Sequence, residues 1–173
     1  MKKIIITGGL GYIGTELCKI YSGVSWHHNI TVIDNRFISE RVNQIRNWNM
    51  NFIHGDILDK DLIKEYCKDA DVVHHLAGVT DVPRTKSEST LDKDRQISLV
   101  GEQGTQNILE AISDKCKIIF PSTHVVYEGI DKVKKDIKEN EATKPILSYS
   151  TSKAINEKQL KNSGKNYVIL RLG

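Results

Sequence analysis

The chain has 173 residues, 39% of them hydrophobic and 27% charged, with a formal net charge of +3. That length suits about one domain with one filled core, the slight charge argues against a strongly basic nucleic-acid surface, and no apolar run nears the ~20 residues of a membrane span. Three scattered cysteines, Cys18, Cys67 and Cys116, have no CxxC spacing and read as reduced thiols; Lys2-Lys3 leads straight into a strand rather than a signal sequence, so the expected setting is cytoplasmic.

Along the chain, short β-rich apolar runs alternate with longer helical patterns. Strands are expected at 3–7, 30–34, 51–53, 71–77, 116–122 and 167–172. Helical spacing lies near 12–22, 39–48, 58–68, 95–113 and 150–162. Continuous apolar strands separated by helices imply a parallel sheet covered on both faces. The right-handed crossover rule then gives an α/β, doubly wound parallel sheet of the Rossmann kind, with six or more strands in the order 3-2-1-4-5-6. The most visible basic patch, DKVKKDIKEN (Asp131 to Asn140), interleaves acids with lysines and reads as a solvated surface.

Between the first strand and the first helix stands TGGLGYIG, Thr7 to Gly14, with four glycines in eight residues. Glycine inside regular structure costs roughly 0.5–1 kcal/mol relative to alanine, so the cluster needs a local reason. In a doubly wound sheet this corner binds a pyrophosphate. Gly8 would allow the tight turn, Gly11 the close approach of backbone to phosphate, and Gly14 the packing of helix on strand. The helix start would offer unpaired N–H groups and a positive dipole end to the anion. The second strand ends in Asp34, 20 positions after Gly14, where a carboxylate can accept from an adenosine ribose. Asp34 also repels a 2′-phosphate, favouring NAD over NADP, whereas the nearby Arg36 could pair with that phosphate.

Chemistry is suggested by YSTSK, Tyr149 to Lys153. Positions i and i+4 share a helix face, so phenol and ammonium would point to one site. A tyrosine pKa near ~10 must fall by ~3 units, or ~4 kcal/mol, for base catalysis at pH 7. An ammonium ~5 Å away supplies ~3 kcal/mol at an effective dielectric of ~20, and a positively charged nicotinamide could provide the remainder. Such a pair suits a general base that takes a hydroxyl proton while hydride leaves the same carbon.

Together these pieces resemble the extended short-chain dehydrogenase/reductase family, the NAD-dependent nucleotide-sugar epimerases and dehydratases. TGGLGYIG is similar to the family's TGxxGxxG loop, which implies cofactor contacts from Gly8, Gly11, Tyr12, Ile13 and Gly14. VIDN resembles the second-strand ending, implicating Asp34 and Asn35. HGDILD resembles the adenine-side segment, with Asp56 and Ile57 flanking the adenine. HHLAG resembles HLAA beside the cofactor, implicating Ala77 and Gly78. FPSTHVVY resembles FSSxxVY, which would place Ser122 beside the nicotinamide and Thr123 at the catalytic hydroxyl position. YSTSK resembles YxxSK, making Tyr149 the general base and Lys153 the group that holds the nicotinamide ribose and depresses the tyrosine pKa.

The chain also departs from that pattern. VYEG (Val126 to Gly129) stands where the family usually reads VYG, and His124-Val125 follows Thr123 where dehydratases have Asp-Glu. Gly101 stands three residues before Gly104-Thr105, where the family tends to carry an asparagine. The chain stops at RLG, where the family continues, so 1–173 is expected to be a dinucleotide-binding domain without the substrate-binding region. By itself it would bind NAD, be inactive and expose apolar surface. His74 and His75 are strand neighbours whose side chains face opposite sides, so they cannot chelate one metal and read as packing residues; His27-His28 read as a turn, and no metal-ligand spacing occurs.

The leading reading is an NAD-dependent sugar-nucleotide epimerase or related oxidoreductase acting by transient hydride transfer at a carbinol carbon, on a nucleotide-sugar. No nucleic-acid or membrane partner is expected, and pairing into a homodimer would use the helices near 95–113 and 150–162. The alternatives are an NADP-dependent carbonyl reductase with the same Tyr-Lys pair and a non-catalytic, dinucleotide-sensing or RNA-binding scaffold.

Overall fold

A computed structural model describes residues 1–79, 85–131 and 135–173. Its strands are β1 (Lys2–Thr7), β2 (His28–Asp34), β3 (Asn51–His54), β4 (Val72–His75), β5 (Lys117–Thr123) and β6 (Asn166–Leu172). They form one parallel sheet in the order β3-β2-β1-β4-β5-β6. Between them run α1 (Tyr12–Ser22), α2 (Ser39–Asn47), α3 (Lys60–Cys67), α4 (Leu91–Ser98), α5 (Gly104–Ala111) and α6 (Ser148–Asn162). The expected strand order and all six strands are therefore present, with ends shifted by one or two residues, the usual uncertainty of boundaries. The fourth strand is shorter than expected, ending at His75 rather than residue 77.

Period-2 alternation divides the strand residues between two cores. Ile4 and Ile6 of β1 join Ile30, Val32, Val42 and Ile45 on the side of α1 and α2. Ile5 joins Ile33, Val73, Ile118, Phe120, Ile108 and Leu160 on the side of α3, α5 and α6. Burial on both faces is what the continuous apolar runs require. At the edge strand β6 one face is bare: Val168, Leu170 and Leu172 are 37%, 46% and 43% exposed, while Ile169 packs inward.

The fourth helical pattern begins earlier than its periodicity suggests. Thr90 caps it, accepting from Lys93 N–H at 3.3 Å, and Asp92 and Asp94 lie in its first turn. A π-helical turn, Leu99–Gln103, joins α4 to α5, so the segment runs continuously from 91 to 111. Side chains of α6 take up its carbonyls: Asn156 Nδ2 donates to Gly101 O and Gln159 Nε2 to Glu102 O, both at 3.0 Å. A Cβ at Gly101 would collide with Ser152 Oγ. The glycine that replaces the family's asparagine is thus a close crossing point of the two helical segments.

His74 and His75 point to opposite faces. His74 Nε2 shares a 2.8 Å hydrogen bond with Tyr21 Oη on α1. His75 bridges Thr7 Oγ1 and Thr105 Oγ1, each at 3.0 Å. His27 lies in a 3-10 turn, but His28 opens β2, so only half of that pair is in a turn. The basic patch falls partly outside the described residues; its described members, Asp131 and residues 135–140, are exposed and form no helix. Among the described residues no helix is long and apolar enough to cross a membrane. The three cysteines are free and buried, and burial pushes the Cys18 and Cys67 thiols up to about 12.

Burial lowers the His74 pKa to about 4; burial, followed by the charge of Lys153, lowers that of His75 to about 3. Both lie below the unfolded value of about 6.5, so below pH 6.5 the unfolded chain binds protons that the native chain refuses. Stability present above pH 6.5 should fall on acidification by up to about 1.4 kcal/mol per pH unit for each histidine. Urea unfolding at pH 7, 5.5 and 4.5 should show a shallower decline for His75→Gln than for the parent chain. Equal slopes would mean that His75 titrates normally in the folded protein.

Candidate functional site

The strand order reverses between β1 and β4, and loops from both sides of this switch point leave an opening at the carboxyl ends of the strands. Gly8 ends β1 with φ +70°, a left-handed conformation that glycine adopts without strain, and a Cβ there would lie 2.6 Å from Ala77 N. Gly11 N–H closes the turn on Gly8 O at 3.0 Å. Gly11 then stands at the N-cap of α1 without a side-chain cap, and the first turn of α1 holds no acidic residue. Its leading N–H groups and positive dipole end are left for an anion. A Cβ on Gly14 would lie 2.5 Å from both Gly8 O and Gly9 Cα. The missing side chain is what lets α1 begin directly against the end of β1.

A cleft of about 480 Å³ opens here. Of the residues singled out from sequence, Gly8, Gly11, Tyr12, Asp34, Asn35, Asp56, Ile57, Ala77 and Gly78 line it together. Ile13 and Gly14 stand outside the lining, Gly14 buried under the turn and Ile13 exposed. Asp34 is buried at the end of β2. Its Oδ2 accepts from Leu10 N–H at 2.9 Å, and its Oδ1 from Arg36 N–H at 3.0 Å and Arg36 Nε at 3.3 Å. Asp56 Oδ1 accepts from Leu58 N–H and Oδ2 from Asn35 Nδ2, both at 2.9 Å, so the two loop residues face each other across the cleft floor. Asn107, buried on α5, donates to Ile57 O at 3.0 Å and fixes the same loop from behind.

A second, smaller pocket of about 40 Å³ adjoins the first through Ala77 and Gly78, and Tyr149 and Lys153 form its far wall with Ser152 and Asn156. Lys153 Nζ donates to Pro121 O at 2.9 Å, sits 4.4 Å above the Phe120 ring and lies 5.9 Å from the Tyr149 ring centre. Burial lowers the ammonium pKa to about 8 and raises the phenol above its usual value. The expected lowering of the Tyr149 pKa by Lys153 and a bound nicotinamide concerns the cofactor-loaded site; without it, burial is what raises the phenol.

Thr123 and Ser122, at the end of β5, line neither pocket. Thr123 Oγ1 accepts from Val125 N–H at 3.3 Å and starts a 3-10 turn, leaving its own proton to donate. The Ser122 hydroxyl donates to Glu157 Oε1 at 2.7 Å. Glu157 in turn receives Arg171 Nε at 2.8 Å and Nη2 at 2.6 Å, a bidentate pair in the protein interior. Ser122 is thus tied to the underside of α6. His124 turns away, its Nδ1 3.1 Å from Leu172 O.

Sequence reasoning missed Arg41, whose guanidinium donates to Leu10 O across 31 positions, and Gln96 and Val100, which enter the cleft from the helical segment containing the π turn. A long side chain reaching back over a loop leaves no periodic signal, and a π turn shifts the helical period that a pattern search assumes. It also missed Glu157, whose buried carboxylate looks in sequence like one more solvated helix charge.

Residues 4–173 match the NAD dependent epimerase/dehydratase family. Over 176 residues the chain is 30% identical to UDP-glucose 4-epimerase of Neisseria meningitidis serogroup C, covering 95% of this chain and 49% of that protein. It is 34% identical over 128 residues to UDP-N-acetyl-alpha-D-glucosaminuronate decarboxylase of Bacillus cytotoxicus, covering 73% of this chain and 38% of the relative. The crystal structure of WbmH from Bordetella bronchiseptica in complex with NAD+ superposes with a TM-score of 0.82 at 26% identity, over 100% of this chain and 56% of that one. The chain thus spans less than half the length of the two curated relatives.

Gly14→Ala should cost about 1–3 kcal/mol, because its methyl group meets backbone on two sides and α1 must move off the turn. Gly78→Ala is the control, since a Cβ there meets nothing within 4 Å; it should change stability by less than about 1 kcal/mol. Paired denaturant titrations check both, and equal costs would refute the close packing at Gly14.

Proposed function

Because the chain belongs to the NAD dependent epimerase/dehydratase family, we propose that it binds NAD in the cleft at the ends of β1 to β4. There it would serve a nucleotide-sugar epimerase or related oxidoreductase that acts by transient hydride transfer at a sugar carbinol carbon. One observation carries the reading: the bare N-terminus of α1, seated by Gly8 and Gly14, opens into the same cleft as Asp34 and Asp56, beside the Tyr149–Lys153 pocket. The residues present fit a dinucleotide. The α1 amides would hold the pyrophosphate. Asp34 keeps acceptor capacity for a ribose, since a carboxylate has about four acceptor sites and three donors fill it here. Asp56 and Ile57 would flank the adenine. The nucleotide-sugar class is supported by the relatives, both named for UDP-sugars.

When bound, NAD supplies the hydride acceptor. Tyr149 would take the proton of the sugar hydroxyl, and the Thr123 hydroxyl would donate to the reacting oxygen. Lys153 would exchange its carbonyl partner for the nicotinamide ribose, which brings the ammonium into play against the phenol and lowers a pKa that burial raises. A cytoplasmic setting and pairing through the outward faces of α5 and α6 belong to the same proposal. Leu109, Glu110, Ile155 and Lys158 flank an open groove of about 480 Å³ between those helices, and the buried free thiols suit a reducing compartment.

The 173-residue polypeptide should bind NAD saturably and at least ~10-fold tighter than NADP, about 1.4 kcal/mol. Arg36→Ala should widen that ratio, because the guanidinium paired with Asp34 is the group available to a 2′-phosphate. Calorimetric titration measures both, and equal affinities in the parent chain would mean that Arg36 overrides Asp34. Turnover is expected only in a longer polypeptide that also holds the sugar, since orienting a reactant accounts for ~7–11 kcal/mol of a barrier.

In such a polypeptide, Tyr149→Phe should abolish most turnover and leave NAD affinity nearly unchanged, whereas Lys153→Met should damage both. Steady-state rates with binding titrations separate the two effects. Wild-type turnover by Tyr149→Phe would remove it from the mechanism.

A further inference from the structure

The helix that carries Tyr149 does not cap itself. Leu147 occupies the N-cap position of α6 and makes no side-chain hydrogen bond, although a helix start leaves its leading amides without intrahelical partners. Glu128, 19 positions upstream of Leu147, takes the first of these amides together with that of Ile146, just before the helix. Glu128 Oε1 accepts from Ile146 N–H at 2.7 Å and from Leu147 N–H at 2.8 Å. The buried hydroxyl of Ser150 lies between the same carboxylate and Leu147 O. A negative charge here also suits the positive end of the helix dipole.

The turn that bears Glu128 is itself held on both sides. Glu128 N–H donates to Val125 O at 3.1 Å, closing the 3-10 turn that begins at Thr123. Gly129 N–H donates to Lys144 O, and Lys144 N–H to Val126 O, both at 2.8 Å. A Cβ at Gly129 would lie 2.5 Å from Lys144 O, so the close pairing needs glycine there. Thr123 and Glu128 are therefore the two ends of one short braced run leaving β5. Tyr149 lies between Leu147 and Ser150, whose groups Glu128 holds. Glu128 stands where the VYG pattern has glycine, so the device comes with the departure VYEG.

We propose that Glu128 is a positioning residue for Tyr149: its carboxylate reaches from the turn after β5 to the entry of α6, holding the Ile146 and Leu147 amides and the Ser150 hydroxyl, and so fixes the phenol-bearing turn relative to the strand end that carries Thr123. The importance of this placement rests on the reading of Tyr149 and Thr123 as catalytic; the placement does not.

The test uses the full 173-residue chain without cofactor, with tyrosine ring carbons labelled and Tyr149→Phe identifying the signal. Glu128→Gln and Glu128→Ala both remove the charge, so any difference between them isolates the hydrogen bonds. Burial holds the Tyr149 phenol above the usual ~10. In Glu128→Ala the first turn of α6 should loosen, the Tyr149 midpoint should drop below that of Glu128→Gln, and the Ile146 and Leu147 amides should exchange about tenfold faster, as for loss of a helix cap. Should Glu128→Ala not fold, Glu128→Asp against the parent chain makes the same comparison at constant charge, since the shorter side chain cannot reach. Equal Tyr149 midpoints within either pair would overturn the proposal and leave Glu128 a loop contact. No NAD is present, so a failure to bind cofactor would sink the functional reading without touching this one.

Discussion

The approach of α1 to the end of β1 is the constraint on which the rest of the site depends. At Gly14 a single methyl group would strike Gly8 O and Gly9 Cα, both backbone atoms that no rotamer change can move aside. With no side chain there, the helix starts against the strand and its free amides face the opening. Gly8, in a left-handed conformation against Ala77 N, lets β4 close the other wall. Leu10, between these glycines, gives its N–H to Asp34 and its carbonyl to Arg41, so the loop from β1 locks the end of β2 and the start of α2. Anion site and ribose-side carboxylate are thus one hydrogen-bonded unit, and neither can shift alone.

A second unit forms around α6. Its side chains reach α4 through Ser152, the π turn through Asn156 and Gln159, and β5 through Lys153 and Glu157. Glu157 is buried, and a lone carboxylate in that position would be costly. The fork of Arg171, the Ser122 hydroxyl and the Lys161 ammonium at 3.3 Å together satisfy it. Arg171 also donates to Tyr127 Oη and to Glu139 O, which ties β6 to the turn after β5. Tyr149 and Lys153 therefore sit on a helix fixed along its length, while their ionisation is governed by burial.

Much of this was legible in the chain, for identifiable reasons. Strand order follows from alternating apolar strands and helices with one permitted crossover hand, and the two cores follow from the alternation Ile4, Ile5, Ile6. The glycines of TGGLGYIG and the strand-end Asp34 are local signals, and all lie at the expected corner. What escaped was long-range or aperiodic: Arg41 reaching back to Leu10, Gln96 and Val100 entering the cleft from α4 and the π turn that follows it, and Glu128 holding the entry of a helix 19 positions away. The Tyr149–Lys153 spacing predicted a shared face correctly, whereas the burial that shifts both groups depends on what packs around the pair and leaves no mark in the spacing. Pro121 O, which holds the ammonium, cannot be inferred from an i, i+4 count.

The central claim is that the glycine corner, Asp34, the Asp56 loop and the Ala77–Gly78 turn form one dinucleotide site. Mapping backbone amide shifts during an NAD titration of the 173-residue chain tests it most directly. The largest changes are expected on Gly8 to Gly14, Asp34 to Arg36, Asp56 to Leu58 and Ala77 to Gly78, all saturating with one dissociation constant. Largest changes along the α5–α6 groove, or independent saturation of the glycine loop and the Asp34–Asp56 side, would contradict it.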